Sequence, residues 1–80
     1  VNYLPKLLLA DDDVELVNAL NKLLTSQGYV VETANCGRDA QQLLETFNFE
    51  VIILDWQLGD MEGVDVCKQF RRNGGTTPII

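Results

Sequence analysis

No histidine occurs in this 80-residue chain, and its two cysteines, Cys36 and Cys67, stand far apart, outside any metal-ligand spacing. This excludes a zinc centre built from the usual nitrogen and sulfur ligands and points to a reduced, intracellular protein. Cys67 reads as a small core residue on a helix. Basic charge is also scarce: 6 Lys and Arg stand against 12 Asp and Glu, a net charge of −6. Nothing here draws in nucleic-acid phosphates or an anionic membrane, so direct nucleic-acid binding by this segment and membrane attachment are not expected. A cation is the natural electrostatic partner. No apolar run approaches the roughly 20 residues that a bilayer demands. No charged head followed by an apolar stretch and cleavage site opens the chain, so the cytoplasm is the expected location.

What remains is the composition of a packed protein, 46% hydrophobic and 22% charged, unlike that of a disordered or low-complexity chain. Residues 1–80 make one domain, and a chain this short buries only about 60% of its unfolded surface.

Two apolar runs organise it. Val51-Ile52-Ile53-Leu54 ends on Asp55, and Leu7-Leu8-Leu9-Ala10 ends on Asp11-Asp12-Asp13. Continuous aliphatic stretches of this length suit strands buried on both faces of a sheet. Between them lie a helix from Asp12-Asp13 to a stop at Gly28, a more polar strand over Val30–Ala34, and a second helix from Gly37 to Phe47. Asp12 with Glu15 has capping-box spacing, and Val17, Leu20, Leu23 and Leu24 give the first helix an apolar face. In the second helix Ala40, Leu43, Leu44 and Phe47 share one side. A third helix is expected over Val64–Asn73, with Val66, Cys67 and Phe70 inward, before a final strand over Thr76–Ile80. Val1 to Pro5 form a short lead.

This alternation predicts an α/β fold: a doubly wound parallel sheet with right-handed crossovers and helices on both faces. The uniformly apolar first and third strands belong at the centre and the mixed second strand outside, giving order 2-1-3-4. Connections then leave in opposite directions between strands 1 and 3, and open sheets bind ligands outside the carboxyl ends of strands at such a point. Asp11, Asp12 and Asp55 fall there.

On its own, Asp11-Asp12-Asp13 reads as helix capping and a solvated turn, and an Asp ending a strand is commonplace. The conjunction of two apolar strands, both ending in Asp and placed side by side, changes the balance. Clustered carboxylates must take up protons or hold a cation, and Mg2+ accepts one or two of them alongside other oxygens. A carboxylate oxygen can also attack phosphorus to give an acyl phosphate. Asp60, Glu62 and Asp65 read as exposed loop or helix-start charges, and Trp56 as a partly exposed loop aromatic.

Leu8-Leu9-Ala10-Asp11-Asp12-Asp13, Gly28-Tyr29, Ala34 with Gly37 and Ala40, Ile52-Ile53-Leu54-Asp55, Leu58 with Asp60-Met61 and Gly63, and Thr77-Pro78-Ile79-Ile80 together resemble the receiver domain of two-component response regulators. The resemblance implies a flavodoxin-like fold and a phosphorelay signalling role. Asp55 would be the phosphoacceptor, served by a sensor histidine kinase or a phosphotransfer protein, with Mg2+ as cofactor. Asp12 and Asp55 would ligate the metal directly, Gln57 through its backbone carbonyl, and Asp11 mainly through water. By this likeness the chain is a non-enzymatic module.

Gly59 stands where the family usually has proline, which predicts a more mobile loop. The family also continues to a fourth helix, a fifth strand and a final helix, so the resemblance implies a receiver incomplete at its C-terminus. The family's Ser or Thr after strand four and Lys after strand five are not matched, and Thr76 and Thr77 fall at the opposite end of the sheet. This leaves an alternative, a non-phosphorylating interaction or folding fragment, and predicts marginal stability or self-association through the uncovered face. A hydrolase with an aspartyl nucleophile fits less well, because Gln57 occupies the position where such enzymes typically carry a second acid.

Overall fold

A computed structural model describes residues 4–80, so residues 1–3 of the expected lead lie outside the described residues. The elements run β1 (Lys6–Ala10), α1 (Val14–Ser26), β2 (Val30–Ala34), α2 (Gly37–Thr46), β3 (Val51–Leu54) and α3 (Gly63–Arg72). The three strands form a parallel sheet in the order β2-β1-β3. Residues 78–80 continue it beyond β3: Ile52 N donates to Pro78 O at 2.9 Å, Ile80 N to Ile52 O at 2.8 Å and Leu54 N to Ile80 O at 3.1 Å. The expected order is met for the first three strands, and the fourth place is taken not by a full strand over Thr76–Ile80 but by an isolated parallel bridge between Ile52 and Ile79.

Alternation along β1 divides the core. Leu7 and Leu9 point to one side and pack with Val17, Leu20 and Leu24 of α1. Leu8 and Ala10 point to the other, toward the clusters built with α2 and α3 around Ala40, Val66, Leu58 and Ile52. All of Leu7, Leu8, Leu9 and Ala10 are at most 5% exposed, as a central strand covered on both faces requires. Small residues stack where α2 crosses the sheet: Ala10, Ala34 and Ala40 are all buried. On the α1 side, Val51 and Ile53 are only half-buried.

Three details differ from expectation. The cap of α1 is Asp13, whose Oδ1 accepts from Leu16 N at 3.1 Å, so Asp12 and Glu15 form no capping box. The helix begins one residue later than the box would require, and Asp12 is left outside it. Leu23 is 56% exposed; at about 100° per residue it falls roughly 100° round the helix from Leu24, off the buried stripe. Gly59 has φ 84°, a left-handed conformation closed to proline, so this position serves a different turn from one that proline could form.

These burials set a stability contrast. Leu8→Ala, at a fully buried site, should lower unfolding free energy by about 2–5 kcal/mol. Leu23→Ala should change it by no more than about 0.5 kcal/mol. Urea titration of the two variants beside the parent protein checks both.

Candidate phosphoacceptor and metal site

The register of the sheet builds the site. Ala10 pairs with Ala34 on one side and with Leu54 on the other. The next residues, Asp11 and Asp55, therefore emerge at the same level of the carboxyl edge. Two backbone bonds extend the ladders into this edge: Asp11 N to Ala34 O at 3.1 Å and Asp55 N to Ala10 O at 2.9 Å. Asp12 joins them from the turn into α1. One oxygen from each of Asp11, Asp12 and Asp55 lies within 4.8 Å of the other two. Asp11 and Asp55 are half-buried and Asp12 is exposed.

The turn that presents these acids is held by its own polar groups. Asp13 N donates to Asp11 Oδ1 at 2.9 Å, and Asp13 in turn caps α1. Burial pushes the Asp11 carboxyl above its ordinary value, against the lowering effect of the Asp13 amide, and the negative charges of Asp55, Asp12 and Asp13 push the same way. Three carboxylates offering hard oxygen donors this close together fit a divalent cation such as Mg2+.

The segment after Asp55 is closely tied. Gly63 N donates to Trp56 O at 2.8 Å and Leu58 N to Met61 O at 3.0 Å, and Gln57 bridges to Glu62. A Cβ on Gly63 would overlap the Asp55 carbonyl oxygen, so only glycine lets α3 start this close to β3. Leu58 is buried in the core, whereas Trp56 is 79% exposed. Gln57 stands on the same loop as Asp55, but its side chain is exposed and the acid cluster itself comprises Asp11, Asp12 and Asp55. Thr77 Oγ1 donates to Phe49 O at 3.1 Å, at the entry to β3 and therefore at the far end of the sheet from Asp55.

One contributor escaped the sequence reading. Asp60, expected to be a solvated loop charge, accepts from Gly37 N at 2.7 Å and Arg38 N at 2.9 Å. These two amides hold its carboxyl below the usual range. Cap signals in sequence are local, and this cap acts from 22 and 23 positions away.

The raised pKa of Asp11 has a definite sign. Its contribution to stability is present below the ordinary carboxylate value of 3.8 and is lost as pH rises through the higher folded-state value. At neutral pH its charge opposes folding. Asp11→Asn keeps an acceptor for the Asp13 amide and should raise Tm at pH 7 in chelator. That gain should fade as pH falls into the carboxylate range, and Mg2+ should stabilise the parent more than the variant; thermal melts over pH check this.

A family model for the response regulator receiver domain matches residues 7–80. The chain is 41% identical over 77 residues to the transcriptional regulatory protein AfsQ1 of Streptomyces coelicolor, covering 96% of this chain and 34% of that protein. It superposes on the receiver domain of a Francisella response regulator with TM-score 0.89 at 31% identity, covering 94% of this chain and 62% of that one. Response regulator TrrA of Thermotoga maritima, solved in complex with Mg2+ and BeF, gives TM-score 0.88 at 25% identity, covering 95% of this chain and 66% of that one. The chain spans 12% to 34% of the length of the curated relatives it matches. With the family model matching nearly its whole length, this chain belongs to the response regulator receiver-domain family, the phosphoacceptor module of two-component signalling systems.

Proposed function

We propose that Asp55 is the residue that accepts the phosphoryl group, that Asp11, Asp12 and Asp55 hold Mg2+ together with the backbone carbonyl of Gln57, and that the donor is a phosphohistidine on a sensor kinase or phosphotransfer protein in the cytoplasm. The observation that carries this reading is the convergence of three carboxylates within 4.8 Å at the carboxyl edge of the sheet. The complex of TrrA with Mg2+ and BeF adds support from a related fold.

In this reading an Asp55 carboxylate oxygen attacks phosphorus. The new P–O bond forms as the P–N bond to the donor imidazole breaks, and the imidazole leaves neutral, its ring having taken a proton from water. Bound Mg2+ supplies positive charge against which phosphoryl oxygens and carboxylates can lie together. Asp11 and Asp12 hold that charge at the edge. The Asp55 N–H bond to Ala10 O and the close approach of Gly63 fix the backbone from which the nucleophile projects. Trp56 and Gln57 are exposed, so a donor protein reaches this edge without displacing the core. The product is a modified carboxylate on the protein itself, so the module acts as an acceptor of one group per cycle and not as a turnover catalyst.

The test is phosphorylation by acetyl phosphate followed by intact-mass measurement. The parent protein with Mg2+ should gain one phosphoryl group, Asp55→Asn none, and chelator should abolish the gain. Asp12→Asn should weaken Mg2+ binding by about tenfold or more. Equal labelling of parent and Asp55→Asn would overturn the assignment. No labelling of a folded, Mg2+-binding parent would favour a non-phosphorylating interaction module.

A further inference from the structure

We propose that Asp60 is a positioning residue for the acid pocket: its carboxylate fastens the loop after Asp55 to the first turn of α2, coupling cation binding at the pocket to the order of that helix end. The inference rests on the metal site proposed above.

The first amides of a helix have no intrahelical partner and attract negative charge. In α1 the need is met locally by Asp13. The residue at the equivalent place before α2 is Cys36, whose Sγ accepts only weakly, from Asp39 N at 3.5 Å. Gly37 N and Arg38 N turn instead to the two carboxylate oxygens of Asp60, one each, at 2.7 and 2.9 Å. Met61 reinforces the junction by packing where a Cβ on Gly37 would stand.

The other end of the connection is the pocket. The bonds from Gly63 to Trp56 and from Leu58 to Met61 close the loop on itself. Leu58 and Met61, packed in the cluster that holds Ala34 and Ala40, seat the loop against β2 and α2, and Asp60 adds the polar tie at its tip. Among the described residues, the Asp60 bonds are the side-chain hydrogen bonds that join this loop tip to the neighbouring helix. The same tip carries Gly59, where a Cβ would stand 4.0 Å from Asp12 Oδ2, and Gln57, the proposed carbonyl ligand. Fixing the tip therefore fixes the surroundings of two metal ligands. By thermodynamic reciprocity, whatever the clamp contributes to cation affinity the cation returns as order at Gly37 and Arg38.

The experiment compares the parent chain with Asp60→Ala, Asp60→Asn and Asp55→Asn. Mg2+ affinity is read by calorimetry, and backbone amide exchange by NMR. Asp60→Ala should bind Mg2+ about fivefold more weakly, and Asp60→Asn, which keeps one acceptor oxygen, should fall between it and the parent. Mg2+ should slow exchange at Gly37 and Arg38 in the parent and leave them unaffected in Asp60→Ala, while Leu16 in α1 exchanges alike in both. Asp60→Ala binding Mg2+ as tightly as the parent would overturn the clamp and leave the metal site standing. Faster exchange throughout Asp60→Ala, Leu16 included, would also overturn it by marking a general structural role. A parent that gives no Mg2+ binding sensitive to Asp55→Asn would overturn the metal site and the clamp together.

Discussion

Two backbone hydrogen bonds, Asp55 N to Ala10 O and Asp11 N to Ala34 O, set the level at which the acids of this protein leave the sheet. They exist because β1 lies between β2 and β3 in a parallel register, Ala10 opposite Ala34 and Leu54. That register is in turn held by burial. Leu8 and Ile52 face one another with no exposed surface, and a slip by one residue would turn Leu7 and Leu9 toward α2 and α3. The apolar core therefore specifies the position of the charges at its edge.

Burial at that edge works against the charge of Asp11, and the neighbouring carboxylates add to the effect. The surrounding structure offsets the cost in two ways. It assigns helix capping to Asp13, so the cap uses neither Asp11 nor Asp12, and it uses the backbone of the turn, through Asp13 N, to support Asp11. A cation held at the proposed site would relieve the remaining repulsion, so that the pocket's electrostatic penalty and the proposed Mg2+ binding would be one property.

Much of this arrangement was legible in the sequence. The apolar runs before Asp11 and Asp55 gave the central strands, and the polar character of Glu32 and Thr33 placed the second strand outside. The order 2-1-3-4 followed from those contrasts, and it brought Asp11, Asp12 and Asp55 to one edge. The misses have physical causes. The Asp12–Glu15 spacing pointed to Asp12 as the cap of α1, whereas the cap is set by where the backbone first turns helical, one residue later at Asp13. Leu23 was assigned to the core because apolar residues at an i+3 step resemble a continuing stripe, although this one has rotated off it. Asp60 was missed because its two partners lie on another element, and the left-handed Gly59 that precedes it carried no hint of that destination.

The most direct measurement of the central claim is a Mg2+ titration followed by the fluorescence of Trp56, which directly follows Asp55 and is largely exposed. A saturable change that Asp55→Asn abolishes is the result predicted by a pocket assembled from Asp11, Asp12 and Asp55. A folded protein whose Trp56 emission does not respond to Mg2+, or responds identically in Asp55→Asn, would contradict the account.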